Sequence, residues 1–165
     1  EKLLIGERVK GKAMIERVLE RFSKVKILVI GDIMMDRFIF GKVSRISPEA
    51  PVPVVLVEKE TFHLGGAANV VNNIHSLGGK VSLCGMIGDD EMGQKIVQML
   101  NKIGIQNQGI FLEPGRQTTV KTRIIAHQQQ VVRIDRENTD PPRPSTLRNI
   151  YEFLKKNMGG FNGIV

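Results

Sequence analysis

Two short apolar runs punctuate this chain: Val25-Lys26-Ile27-Leu28-Val29-Ile30 stops at Gly31-Asp32, and Val81 to Met86 stops just before Gly88-Asp89-Asp90. Runs of this kind, rich in β-branched residues and bounded by turn signals, read as strands buried on both faces, the habit of parallel sheets. Helical stretches flank the second run. Gly65-Gly66-Ala67-Ala68-Asn69 opens one that runs to about Leu77 and ends at Gly78-Gly79, and Asp89-Asp90 supplies an acidic cap for another from about Glu91 to Lys102. Strand and helix in alternation with short loops imply a mostly parallel sheet covered by helices, with right-handed crossovers. A third strand is predicted near Gly109 to Leu112. Gly163-Ile164-Val165 reads as the first residues of another, so the chain is expected to stop mid-fold.

Two segments fall outside that alternation. Phe38 to Val57 alternates apolar and polar residues around Ser47-Pro48-Glu49-Ala50-Pro51-Val52-Pro53, and its prolines suit extended or edge structure, so two arms outside the main sheet are expected. Thr118 to Ala126 and Gln130 to Asp135, both rich in Val, Ile and Thr, predict a β-hairpin around His127-Gln128-Gln129. Beyond it, Asp140-Pro141-Pro142-Arg143-Pro144 breaks the chain before a helix expected to be capped by Ser145 and to reach about Lys156. Residues 1–25 form a charged N-terminal helical extension by the same reading, with Ile15, Val18, Leu19 and Phe22 at helical spacing.

The 165 residues suffice for one domain with a real core, and 41% hydrophobic with 25% charged residues is the composition of a soluble globular protein. No stretch has the length and apolarity of a bilayer span, and no secretory leader opens the chain, so a membrane partner is not expected and a cytoplasmic location is. Cys84 is the only cysteine. An internal disulfide and a cysteine metal site are excluded, and the thiol reads as a small buried hydrophobe. A formal charge of +7 attracts polyanions or phosphorylated small molecules over long range. The aromatic residues are scattered rather than interleaved with basic ones, which argues against nucleic acid. A parallel sheet lacking its later strands exposes unpaired edges, so the chain by itself is expected to associate.

Candidate chemistry lies in three places. Asp32 and Asp36 follow the first strand, where open α/β sheets bind ligands; Asp36 either accepts hydrogen bonds from polyol hydroxyls or closes a local turn with Arg37. Gly65 and Gly66 either let a substrate approach the backbone and the amides of the following helix, with Asn69 donating and accepting one turn in, or simply make a tight turn. Lys121 and Arg123 share one face of the hairpin, as do Arg133 and Asp135; with Arg45 these are phosphate ligands or solvated surface charges. His63, His75 and His127 are too dispersed for metal spacing, and none is assigned a catalytic role; His75 is expected to be partly buried in its helix and His127 to sit at the hairpin tip.

Ile27 to Asp36, Gly65-Gly66-Ala67-Ala68-Asn69 and Gly85-Met86-Ile87-Gly88-Asp89-Asp90-Glu91-Met92-Gly93 together resemble the N-terminal half of a PfkB/ribokinase-type carbohydrate kinase. Ser44 to Val55, Thr119 to Arg123 and Gln129 to Glu137 are similar, more narrowly, to the kinase half of enzymes acting on heptose 7-phosphate. The resemblance implies a ribokinase-like three-layer αβα sandwich over residues 26–165 with a small β lid, built from the arms at 38–57 and the strands of the hairpin at 118–135. It implies Asp36 as acceptor for sugar hydroxyls, Gly65, Gly66 and Asn69 as the substrate loop, ATP and Mg²⁺ as cofactors of the complete enzyme, and a lid-mediated homodimer. The phosphoryl acceptor it implies is O1 of the heptose, on the route to ADP-heptose for lipopolysaccharide. The family's Gly-Ala-Gly-Asp segment, which carries the general base, is not in these residues. No catalytic residue is therefore expected here, and no strong nucleotide binding; the alternative readings are a non-catalytic lid and dimerisation module or a PfkB kinase for another phosphosugar.

Overall fold

The computed structural model describes residues 14–165; the part of the predicted N-terminal helix at residues 1–13 lies outside the described residues. In chain order the elements are α1 (residues 14–22), β1 (Lys26–Ile30), β2 (Ile33–Ile46), β3 (Pro53–Gly66), α2 (Ala67–Ser76), β4 (Lys80–Gly88), α3 (Glu91–Lys102), β5 (Ile110–Glu113), β6 (Thr119–Ala126), β7 (Gln129–Arg136), α4 (Pro144–Asn157) and β8 (Gly163–Ile164). They make two four-stranded sheets. The first has the order β5-β4-β1-β8 with every pairing parallel, so both apolar runs and the terminal Gly-Ile pair stand side by side as the alternation requires.

The second sheet has the order β3-β2-β6-β7, with β2 antiparallel to β3, parallel to β6, and β6 antiparallel to β7. The predicted arms are the outer lengths of two continuous strands that begin at the core, and the hairpin docks against β2 to complete the sheet. The prolines fall where their missing donors do no harm: in the turn after β2 and at the start of edge strand β3. Ser47 N–H donates to the Val52 carbonyl at 2.8 Å and closes that turn. His127 and Gln128 take positive φ, 50° and 64°, which gives the hairpin the backbone twist of a two-residue turn.

Met35, Leu64 and Val120 from the second sheet share one buried cluster with Val29 and Leu83 of the first sheet, Val71 of α2 and Ile96 and Leu100 of α3. Period-two alternation puts Asp36 and its cross-strand neighbours on the opposite face. α4 covers the far side of the first sheet: Ile110 of β5 turns towards the cluster, whereas Phe111 meets Phe153 of α4 edge-on with centroids 6.1 Å apart. The result is helix, sheet and helix in three layers, with the second sheet projecting as a lid. Cys84 is buried, and desolvation pushes its thiol up to about 11, the inert structural role read from its surroundings.

Two local readings need correction. Ser145 does not cap α4: Arg143 is the cap residue, Pro144 takes the first turn, and the Arg143 N–H donates to the buried Glu113 carboxylate at 3.1 Å. A carboxylate from β5 thus meets the amide end of α4, so the cap is tertiary rather than local. His75 is exposed on α2 rather than partly buried, and Ile15, Val18 and Leu19 of α1 are exposed, while Phe22 is half-buried beside Val25 and Ile74.

Candidate functional site

Asp36 stands in β2 on the polar face of the lid, paired across the sheet with His63 of β3 and Lys121 of β6. Its carboxylate leans over Gly65: a Cβ built there would lie 2.9 Å from Asp36 Oδ2. The acid and the glycine pair therefore converge, and a side chain at Gly65 would crowd Asp36. Arg37 points to the other face and pairs with Glu60, which removes the local Asp36–Arg37 turn. Gly66 holds φ +55° with the Asp32 carbonyl 2.4 Å from where a Cβ would be, and so brings the chain into α2 through a conformation reserved to glycine. No side chain caps α2, and the Ala67 N–H goes to the Asp32 carbonyl at 2.9 Å. Asn69 is exposed one turn into the helix.

Of the predicted basic residues, Lys121, Arg123 and Arg133 share the face of Asp36. Arg123 Nη1 donates to Asp36 Oδ1 at 2.6 Å while its guanidinium lies over the Phe38 ring, 5.2 Å from the centroid. Lys121 reaches Asp135 at 3.1 Å and Glu137 at 3.7 Å, and Arg133 meets Asp135 at 2.9 Å. The Lys121 ammonium, followed by the Arg133 guanidinium, outweighs desolvation and holds the Asp135 carboxyl below the ordinary carboxylate range. Arg45 is not brought to this group. It lies near the outer end of β2 opposite Val54, nine residues from Asp36 and thus about 30 Å along the strand.

A cavity of about 450 Å³ opens one row from Asp36, lined by Asp32, Met34, the end of β4 at Met86 to Gly88, and the segments Arg116 to Thr119 and Glu137 to Pro142. It sits beyond the C-terminal ends of β1 and β4, the general place for a ligand in an open α/β sheet. Its wall is fixed by groups that sequence reasoning did not single out as a set. Arg116 donates through Nη1 to the Asn138 carbonyl at 2.6 Å and through Nη2 to the Asp140 carbonyl. Asp90 accepts from the Gly93 amide at 2.8 Å as the cap of α3, and also from the Thr118 amide at 2.8 Å and hydroxyl at 2.6 Å. Burial raises the Asp90 carboxyl, but the Thr118 bonds, the Gly93 amide and the Arg136 charge outweigh it and hold the group below its ordinary range. Asp90 caps α3, as its place before a helix implies, and it also latches Thr118.

His63, which has no role in the sequence reading, is set beside Asp36 by the β2–β3 register, edge-on to Phe38 with ring centroids 5.4 Å apart. Only the strand pairing signals it. Among the described residues, no three His, Cys, Asp or Glu side chains gather as a metal cluster, and no helix is long and apolar enough to cross a membrane.

Residues 24–158 match the sequence model of the pfkB family of carbohydrate kinases. The chain belongs to that family. As a pfkB-family chain it is 44% identical over 151 residues to the bifunctional protein HldE of Pelobacter propionicus and 47% identical over 140 residues to that of Helicobacter pylori. These matches cover 92% and 85% of the chain, which spans only 31% and 30% of the two relatives. The ribokinase of Arabidopsis thaliana, solved with ribose and ATP, superposes with a TM-score of 0.56 at 16% identity, over 68% of this chain and 36% of that one. At that identity the likeness is one of fold. The pfkB-family assignment and the ribokinase-like α/β fold agree with the three layers and projecting lid described above.

Proposed function

We propose that this chain forms the sugar-gripping part of an ATP-dependent carbohydrate kinase whose substrate is D-glycero-β-D-manno-heptose 7-phosphate, phosphorylated at O1 for ADP-heptose and lipopolysaccharide synthesis in the cytoplasm. The observation that carries the reading is the Asp36 carboxylate set over Gly65 at the start of α2, on a polar lid face beside a cavity at the strand ends. A carboxylate accepts from sugar hydroxyls, the uncapped first turn of α2 directs amides at oxygens, and Asn69 can both donate and accept. The relatives named bifunctional protein HldE support a heptose substrate, and Lys121, Arg123 and Arg133 on the same face offer cations for its 7-phosphate.

When bound, ATP supplies the phosphoryl group and Mg²⁺ offsets its charge; we place both, and the general base, on residues outside this chain. What these residues do is bind the sugar, orient it and exclude water beneath the lid. The chain by itself is then expected not to turn over. We also read the lid as the surface on which a second copy pairs.

Calorimetric titration of the full-length protein with heptose 7-phosphate tests the site. Asp36→Ala should remove charge-assisted hydrogen bonds worth about 1.5–3 kcal/mol each, a loss of at least about tenfold in affinity. Unchanged affinity in a folded variant would remove Asp36 from the site.

A further inference from the structure

The three cations gathered beside Asp36 are already engaged. Lys121 is held by Asp135 and Glu137, Arg133 by Asp135, and Arg123 by Asp36. Three basic groups face three carboxylates, so this patch is neutral despite its density of charge. Asp36 is engaged through one oxygen: Oδ1 takes the Arg123 Nη1 bond at 2.6 Å, while Oδ2 lies 2.9 Å from where a Gly65 Cβ would be. Both side chains are only 22% exposed, so water screens the pair weakly. The acid meant to accept hydroxyls and the arginine fit to hold a phosphate are therefore bound to each other.

We propose that Arg123 is a lock on Asp36 that the substrate's own phosphate releases, so that phosphate recognition and hydroxyl recognition occur together or not at all. The inference rests on the sugar-kinase reading above. A neutral hydroxyl that takes Asp36 from Arg123 must displace a bond in which both partners are charged, whereas it brings charge on the acceptor side only. An unphosphorylated sugar brings nothing to Arg123 in return and leaves a half-buried guanidinium unpaired if it wins. A phosphate dianion gives the guanidinium a second, bidentate partner, and the freed Asp36 carboxylate turns to the hydroxyls. Phe38 supports the exchange: its ring lies under the guanidinium and offers the cation a surface while it changes partner. Arg123 is in this account a specificity residue, rejecting the unphosphorylated sugar as much as it attracts the phosphorylated one.

The test is a set of calorimetric titrations of the full-length protein with heptose 7-phosphate and with the unphosphorylated heptose, in wild type and Arg123→Gln. The lock predicts opposite signs: the variant binds the phosphosugar about tenfold more weakly and the free sugar several-fold more tightly. A variant that loses phosphosugar affinity without gaining free-sugar affinity makes Arg123 a plain phosphate ligand, and one that weakens on both makes it a mere support for Asp36; either result overturns the lock while leaving the sugar site standing. Wild type with no affinity for either sugar overturns the kinase reading itself. A second measurement needs no substitution: inorganic phosphate, by occupying Arg123, should raise the wild-type affinity for the free sugar and do nothing in Arg123→Gln. Simple competition by phosphate in the wild type would count against the lock.

Discussion

A Cβ placed on Gly65 would fall 2.8 Å from Met34 Cγ and 2.9 Å from Asp36 Oδ2, so glycine there sets the position of the acid. Gly66 answers to a different constraint, because its φ of +55° and the Asp32 carbonyl at 2.4 Å are backbone matters that no side-chain shift relieves. Two neighbouring alanine substitutions should therefore fail in different ways. Gly65→Ala displaces a flexible carboxylate, and the full-length protein should keep its fold but bind heptose 7-phosphate about tenfold more weakly, since small misplacements in a site cost this much or more. Gly66→Ala forces an alanine into strained backbone and should cost about 1–3 kcal/mol of stability by urea denaturation. Equal stability losses with unchanged sugar affinity would mean that both glycines serve only the turn.

Among the elements, the junction of α3 with the β5–β6 connection hangs on Asp90, which caps the helix through Gly93 and fastens Thr118, whose hydroxyl in turn accepts from the Gly88 amide at 3.0 Å. Asp90→Ala loses a cap and a latch, about 1–3 kcal/mol together. The folded carboxyl lies below its unfolded value, near 3.9, so its contribution is complete above that pH and is lost as pH falls through the lower folded value. Denaturation of wild type and Asp90→Ala should thus differ most near neutrality and converge on acidification; a gap constant with pH would deny the charge any part. This cap was legible, because an acid directly before a helical pattern is a local signal. The helix bounds Glu91–Lys102 and the parallel strands were legible for the same reason. The cap of α4 was not, since Glu113 arrives from a strand about thirty residues away. Nor was the lid network. Reflection about the three-residue turn read from the sequence, His127-Gln128-Gln129, would pair Lys121 with Asp135, but the structure closes the turn at His127-Gln128, and reflection there sets Lys121 opposite Ile134 and puts Arg133 and Asp135 on the other face. The irregularity between Ile124 and Ile125 moves Lys121 to Asp135 and unites all four charges. One unpaired residue, invisible in the alternation, decides which charges share the site.

For the whole molecule, the lid is the part that the core does not hold. Beyond Phe38 the strands of β2 and β3 leave the buried cluster, and Ile46, Leu56 and Val57 are 61%, 67% and 57% exposed on a ribbon whose outer strand has an open edge. Two-stranded ribbons are marginal in water and an apolar edge invites pairing, which is the ground for the proposed pairing with a second copy. Twofold symmetry uses the same patch on both chains, and each substitution is felt twice. Burying one leucine side chain contributes about 1.5–3 kcal/mol. Leu56→Asp should then cost the pair about 3–6 kcal/mol, which weakens association by about a hundredfold or more. Sedimentation velocity of the full-length protein should show a wild-type dimer and a Leu56→Asp monomer with unchanged secondary structure. A wild type that stays monomeric at every concentration would overturn the proposed pairing through the ribbon.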